Sequence, residues 1–384
     1  MHRLEISLKQ EARSSEISIG AGIRRTLGKL IPFKSPRRVG IISNERVFDL
    51  YGRQVVRSLK AEGFNPLSWL MPEGERYKSF RELEKAANFL SENRFERDDL
   101  VMGLGGGVVG DLAGFAAAIY LRGLRLVQVP TTLLSQIDSS VGGKTGINLA
   151  TGKNLVGAFH QPASVFIDTE TLASLPPREL TSGFCEMVKQ SLVAGDTLFE
   201  MTMRVMQNAG GKREFLSSPE FEELIAAQCG FKASIVANDE RESTNRSDAK
   251  SRRVLNFGHT TAHALETVTN YRHFRHGEAV GYGMLVAGEL SRNLGLIDAG
   301  ELKQLREAVS LCGPLPPADK LDLNQIIAAL KHDKKSVRGQ INWVLLEGIG
   351  RPRIVEGALI SAKSLRLSLR VGLKGFERQK ESFH

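Results

Sequence analysis

The sequence predicts an α/β N-terminal domain with a parallel sheet over residues 1–178, followed by a mainly α-helical C-terminal domain over residues 179–384. Three observations lead there. Short apolar runs alternate with stretches of helical period through roughly the first 180 residues, the pattern of strands joined by crossover helices. A glycine cluster, GLGGGVVG at 103–110, closes one of those runs and opens a helical stretch. Beyond residue 178 helical period dominates to about residue 313.

In chain order, LEISL (4–8) alternates with period two and predicts a half-buried strand. RVGIIS (38–43), ended by Asn44, and DLVMGLGGG (99–107), ended by glycines, predict strands. LRLVQVPTTLL (124–134) predicts another that stops near Pro130, where the backbone loses a donor. Between them, SFRELEKAANFLSEN (79–93) has helical period. In the second half the helical stretches are 178–193, 218–239, 259–270, 277–295 and 299–313. The polar and charged run ERESTNRSDAKSRR (240–253) predicts a loop.

Composition is that of an ordinary globular protein, 41% hydrophobic and 25% charged, so the pattern above describes packed domains and not a disordered chain. The net charge of +9 is spread among interspersed acids. No RNP, zinc-finger or basic-zipper pattern accompanies it, so an anionic small ligand is expected and a nucleic-acid partner is not. Cys185, Cys229 and Cys312 lie far apart without a CxxC pair, which predicts neither a disulfide framework nor a thiolate metal site and fits a reducing cytoplasm. There is no signal-peptide core and no apolar run of membrane-spanning length, so no membrane partner is expected.

Five stretches could carry chemistry. Gly105, Gly107 and Gly110 fit G-x-G-x-x-G between a strand and a helix, where close backbone approach and a helix N-terminus suit a pyrophosphate; the sheet is therefore expected to be Rossmann-like. The usual ribose-binding acid about 20 residues on is missing, since the next acid after Asp111 is Asp138. PEGERYK (72–78), with Glu73, Glu75 and Lys78, is the alternative source of ribose contacts. PTTLLSQIDSSVGGKTGINLATGKNLVGAFHQP (130–162) sets glycines beside Lys144 and Lys153, as a loop that meets an anion would. RRVLNFGHTTAHALE (252–266) places His259 and His263 on one helix face, and His276 follows. A metal site on two histidines needs a further donor, and Glu186 in GFCEMVKQ (183–190) is the available carboxylate. The plainer reading of Glu186 and Lys189 is an i,i+3 ion pair.

Taken together, GGGVVGDLAGFAAAIYLRG, QVPTTLLSQIDSSVGGKTGIN, GKNLVGAFHQP, LPPRELTSGFCEMVK, LNFGHTTAHALE, RHGEAVGYGM and HDKK resemble, in order, the blocks of the 3-dehydroquinate synthases, within the sugar phosphate cyclase superfamily. The resemblance spans about residues 40–350. It implies that Glu186, His259 and His276 hold one divalent metal, Zn²⁺ or Co²⁺. It places Arg122, Asp138, Lys144, Asn154, Lys189, Lys232, Arg252, Asn256, His263 and one of Lys334 and Lys335 at substrate and catalytic positions. It places Glu73, Glu75, Lys78, Gly106, Gly107, Gly110, Asp111, Thr131 and Thr132, with Lys144 and Lys153, at contacts to NAD. The site would lie in the cleft between the two domains of a homodimer's protomer. Between Glu242 and Arg252 the chain is longer than the usual form, so either Arg252 or Arg253 could fill the arginine position. Cys185 stands where the common pattern differs, and the basic C-terminal segment lies outside the resemblance.

The implied reaction converts 3-deoxy-D-arabino-heptulosonate 7-phosphate, a phosphorylated sugar acid, to 3-dehydroquinate and phosphate in the shikimate pathway. NAD-dependent transient oxidation, phosphate elimination, reduction and aldol cyclisation would follow one another. Two alternatives share the architecture. An inosose- or valiolone-forming cyclase changes the residues that meet a carboxylate, and Arg252, Asn256 and His263 argue against it. A metal-dependent polyol dehydrogenase has no need of Lys144, Lys153, Lys189 and Lys232, because its substrate carries no phosphate.

Overall fold

A computed structural model describes residues 14–33, 38–210, 213–331 and 342–375; the expected strand at 4–8 and the Lys334–Lys335 pair lie outside them. Strands β1 (Glu16–Ile19), β2 (Arg38–Asn44), β3 (Asn65–Met71), β4 (Leu100–Gly105) and β5 (Arg125–Pro130) build one sheet. An antiparallel hairpin, β6 (Lys144–Leu149) and β7 (Gly152–Phe159), follows, and β8 (Ser164–Ile167) returns to the sheet. The sheet order is β1-β8-β5-β4-β2-β3 and every pairing in it is parallel. Helices α1 (Arg53–Ala61), α2 (Phe80–Glu92) and α3 (Gly107–Ile119) connect successive strands.

The middle strands are covered on both faces. Leu100, Met102 and Leu104 of β4 pack with Leu59 on one side, while Val101 packs with Leu83 and Leu112 on the other. Burial on both faces explains why the sequence there is continuously apolar. The expected parallel α/β architecture is present. Strands not foreseen are β1, β3, β8 and the β6–β7 hairpin. β8 has only four residues, and β3 carries Pro66, which is tolerated because β3 is the edge of the sheet.

The remainder is mainly helical, with α4 (Pro177–Ala194), α5 (Asp196–Ala209), α6 (Pro219–Asn238), α7 (His259–Val268), α8 (His276–Asn293), α9 (Ala299–Ser310), α10 (Leu323–Lys331) and α11 (Ala362–Gly372). A further hairpin of β9 (Asn342–Leu346) and β10 (Pro352–Glu356) was not foreseen. Pro177 and Pro219 stand at the first position of their helices, where a missing N–H costs nothing, and Ser218 caps the second by accepting from Phe221 N. Residues 239–251 form turns without helix or strand, as the polar composition predicted.

Two contacts bring the later helices around α4. Every residue from Leu180 to Val193 is buried, so α4 is a central helix, and Ser182 Oγ accepts from Gly277 N at 3.0 Å at the start of α8. α7 and α8 cross at Gly258 and Gly283. A Cβ on Gly283 would stand 1.9 Å from Gly258 O, so a larger residue there would force the two helices apart. That crossing sets His259 and His276 side by side.

Candidate active site

Glu186 projects from α4 toward the paired N-termini of α7 and α8. Its Oε1 lies 3.9 Å from His259 Nε2 and 3.7 Å from His276 Nε2, and the three donor atoms lie within 4.8 Å of one another. Its Oε2 stands 2.6 Å from Lys189 Nζ, yet neither carboxylate oxygen has a hydrogen bond of good direction. A buried carboxylate paired in charge but short of hydrogen bonds, facing two imidazoles, fits a divalent cation. Each histidine is held from behind: His259 Nδ1 lies 3.3 Å from Phe257 O, and His276 Nδ1 lies 3.5 Å from Glu266 Oε1. Burial opposes charge on His276, but Glu266 and then Glu186 outweigh it and raise its pKa above the ordinary histidine value. The His263 ring stands 5.7 Å from that of His259.

Beside this set lies a second group of charges. Lys232 on α6 donates to Asp138 Oδ1 at 2.6 Å and to Asp138 O. Burial pulls Lys232 down to about 8 against the attraction of Asp138. Asp138 is driven well below the ordinary carboxylate range, because Lys232 and then Lys189 overcome its burial. Gln190, the residue after Lys189, donates to Ile137 O at 3.0 Å and reaches Asp138 Oδ1 at 3.3 Å. Lys144 pairs with Glu242 Oε2, and Asn256 donates to the other oxygen of Glu242 at 2.7 Å. Arg252 is buried and donates to Gly142 O at 2.9 Å and Glu240 O at 2.7 Å. Arg253 points the other way, donating to Thr244 O at 3.2 Å and Arg246 O at 3.4 Å within the loop. Of the two arginines, Arg252 faces the group.

A third group surrounds the first turn of α3. Lys78 is buried and pairs with Asp111, while its Nζ donates to Asn154 Oδ1 at 2.5 Å. Burial raises the pKa of Asp111 in spite of Lys78. Asn148 ties the same group together, donating to Glu75 Oε1 at 2.8 Å and accepting from Asn154 N at 2.9 Å. The α3 N-terminus has no side-chain cap and no acid in its first turn. A Cβ on Gly106 would come 3.0 Å from Thr132, and one on Gly107 would come 3.0 Å from Ser139. A bare helix N-terminus approached through glycines fits a pyrophosphate. Thr131 is buried, and its N–H donates to Gly105 O at 3.0 Å. Gly110 accepts from Gln128 Nε2 at 3.0 Å, which fixes the turn to β5.

Most of the residues picked out from the sequence thus gather in three adjoining groups. Two stand apart: Glu73 is exposed, and Arg122 is exposed without a hydrogen bond or ion pair among the described residues. Residues missed are Asn148, Gln190 and Glu266. Glu266 had a signal, since it follows His259 by seven and His263 by three and so shares their helix face. Lys153 Nζ meets the same Glu266 Oε1 at 2.9 Å.

The fold places the chain in a class of architecture before any sequence comparison. It shares that fold with 2-epi-5-epi-valiolone synthase from Streptomyces hygroscopicus subsp. jinggangensis, solved with NAD⁺ and Zn²⁺ bound, at a TM-score of 0.81 and 24% identity over 95% of this chain and 98% of that one. Sequence narrows the class. Residues 68–182 match the 3-dehydroquinate synthase N-terminal family model, and residues 183–336 match the C-terminal one. The 3-dehydroquinate synthase of Thermodesulfovibrio yellowstonii is 39% identical over 357 residues, 92% of this chain and 96% of the relative. That of a Nostoc species is 41% identical over 352 residues, 90% of this chain and 93% of the relative. The chain belongs to the 3-dehydroquinate synthase family.

Proposed function

We propose that the chain is a phosphate-eliminating lyase that converts 3-deoxy-D-arabino-heptulosonate 7-phosphate to 3-dehydroquinate and phosphate, acting as a cytoplasmic homodimer. The observation that carries this beyond family membership is the placement of Glu186, His259 and His276 beside Lys189, with the lysine and arginine groups adjoining. Residues 1–178 would hold NAD and residues 179–384 the metal and most of the substrate. Exposed Ile119 and Leu121, with Leu155 and Phe159 on the hairpin strand β7, support a partner copy.

When bound, NAD⁺ supplies reversible oxidation of the C5 hydroxyl, and a Zn²⁺ or Co²⁺ ion on Glu186, His259 and His276 supplies Lewis acidity at the neighbouring hydroxyls. The chain's own groups do the rest. Lys144, Asn154, Arg252 and Asn256 fix the phosphate and carboxylate, so orientation lowers the barrier at each stage. Lys189 and Lys232 supply buried positive charge as the substrate's oxygens gain negative character. The substrate's own phosphate takes the C6 proton, and His263 assists at elimination or ring opening. Glu75, Lys78, Gly106, Gly107, Gly110, Asp111, Thr131, Thr132 and Lys153 position the dinucleotide.

The test is a stopped assay on the heptulosonate phosphate with trace NAD⁺. Phosphate and dehydroquinate should rise together, absorbance of reduced cofactor should stay flat, and a chelator should abolish both products until Zn²⁺ or Co²⁺ is restored. One reduced cofactor per substrate consumed, with no phosphate released, would establish a polyol dehydrogenase instead.

A further inference from the structure

A single carboxylate oxygen links two parts of the site. Glu266 on α7 is buried, and its Oε1 meets both His276 Nδ1 at 3.5 Å and Lys153 Nζ at 2.9 Å. Lys153 comes from β7 of the N-terminal hairpin and also lies over the Tyr271 ring at 4.5 Å. His276 turns its other nitrogen, Nε2, toward Glu186. A proton on Nδ1 shared with Glu266 leaves the Nε2 lone pair facing the place where Glu186 and His259 converge. That tautomer is the one a metal ligand requires.

We propose that Glu266 is a positioning residue that couples divalent-metal binding to dinucleotide binding, by dividing one oxygen between His276 and Lys153. The imidazole N–H and the ammonium draw on the same acceptor, so each weakens the other's hold. When an anionic ligand engages Lys153, the oxygen is released to His276, Nε2 becomes a better electron-pair donor, and the metal binds more tightly. Linkage then requires that the metal tighten the dinucleotide by the same factor. The inference rests on the reading of Lys153 as a cofactor contact, while the orienting of His276 rests on geometry alone.

Three proteins decide it: the wild type, Glu266→Gln and Lys153→Met, each stripped of metal and titrated with Zn²⁺ against a competing chelator, with and without saturating NAD⁺. Glutamine keeps the shape but not the charge. In the wild type, NAD⁺ should tighten Zn²⁺ by about 5–10-fold, and Zn²⁺ should tighten NAD⁺ equally. Glu266→Gln should weaken Zn²⁺ by roughly 10–100-fold and bring the coupling to unity. Lys153→Met should bind Zn²⁺ at least as tightly as the wild type, again with no coupling, which a variant harmed only in folding would not do. Wild-type Zn²⁺ affinity in Glu266→Gln overturns the orienting role. Undiminished coupling in Lys153→Met overturns the shared-oxygen link. A wild type that binds no NAD⁺ removes the functional reading and the coupling with it, while the metal titration of Glu266→Gln still decides whether Glu266 orients His276.

Discussion

Replacing Lys189 with methionine should destabilise the metal-free chain and leave the metal-loaded chain nearly unharmed. Glu186 and Lys189 are 1% and 2% exposed and 2.6 Å apart, so Glu186 is the principal reason that Lys189 remains charged. Burial alone would lower the pKa of Lys189, but Glu186 and Asp138 raise it. Removing one partner of a buried pair usually costs about 3–5 kcal/mol, because the other charge is left uncompensated. Protonating an ordinary glutamic acid at pH 7 costs about 4 kcal/mol, and this escape sets the ceiling. A loss of about 3–4 kcal/mol should lower the unfolding midpoint of the chelator-treated protein by on the order of 4–5 °C. With Zn²⁺ present the ion takes over the compensation of Glu186 and no longer repels a neighbouring ammonium. The difference from wild type should then shrink to below about 2 °C. Thermal unfolding followed by circular dichroism, with chelator and with Zn²⁺, measures both. Equal midpoints for variant and wild type without metal, or equal gains from Zn²⁺, would refute the account of Glu186 as a carboxylate shared between lysine and metal.

Three further substitutions test the anion-binding groups. Lys232 is charged below about pH 8 and neutral above, so kcat/KM should fall as pH rises through about 8. In the same window the native chain binds fewer protons than the unfolded one, whose lysine titrates near 10.4, so this group's contribution to folding stability rises with pH while activity falls. Lys232→Arg keeps its charge and should carry the alkaline limb up by at least about one unit; a limb that does not move belongs to another group. Arg252→Ala should raise KM for the heptulosonate phosphate by on the order of 100-fold, since a buried charge-assisted contact is lost. Arg253→Ala should stay within about 2-fold, because its guanidinium only ties loop carbonyls together, and the reverse order of effects would shift the register of the loop.

How far the sequence could be read depended on burial. β2, β4 and β5 are inner strands, and their apolar runs announced them. β1 and β3 at the sheet edges, and the glycine-containing β6–β7 hairpin, carry weaker patterns and were missed. Among site residues, His259, His263 and Glu266 share a face by spacing alone, whereas their meeting with Glu186 depends on the crossing of α7 and α8 over α4. No spacing encodes that crossing; the close approach at Gly258 and Gly283 does. Asn148 could not have been singled out, since an asparagine in a strand has no pattern until Glu75 and Asn154 stand on either side of it. The choice between Arg252 and Arg253 likewise needed the path of the loop.

The ion pairs of the candidate site share one arrangement. Lys78, Lys144, Lys153, Lys189 and Lys232, all assigned from the sequence or the resemblance to substrate or dinucleotide contacts, each stand against an acid: Asp111, Glu242, Glu266, Glu186 and Asp138. Lys78, Lys189 and Lys232 are nearly fully buried, and a buried ammonium without a partner would lose its proton or destabilise the fold. An incoming anion therefore displaces an internal carboxylate as well as water, and each such exchange gains only the difference between two ion pairs. A ligand with one anionic group should accordingly gain little. A substrate that joins a phosphate to a carboxylate makes several exchanges at once, the second at the high effective concentration set by the first. A divalent ion on Glu186 would strengthen the effect at one point, since it would free Lys189 to meet the proposed substrate. The internal acids thus hold the lysines in place without a ligand and favour a ligand long enough to release several of them together.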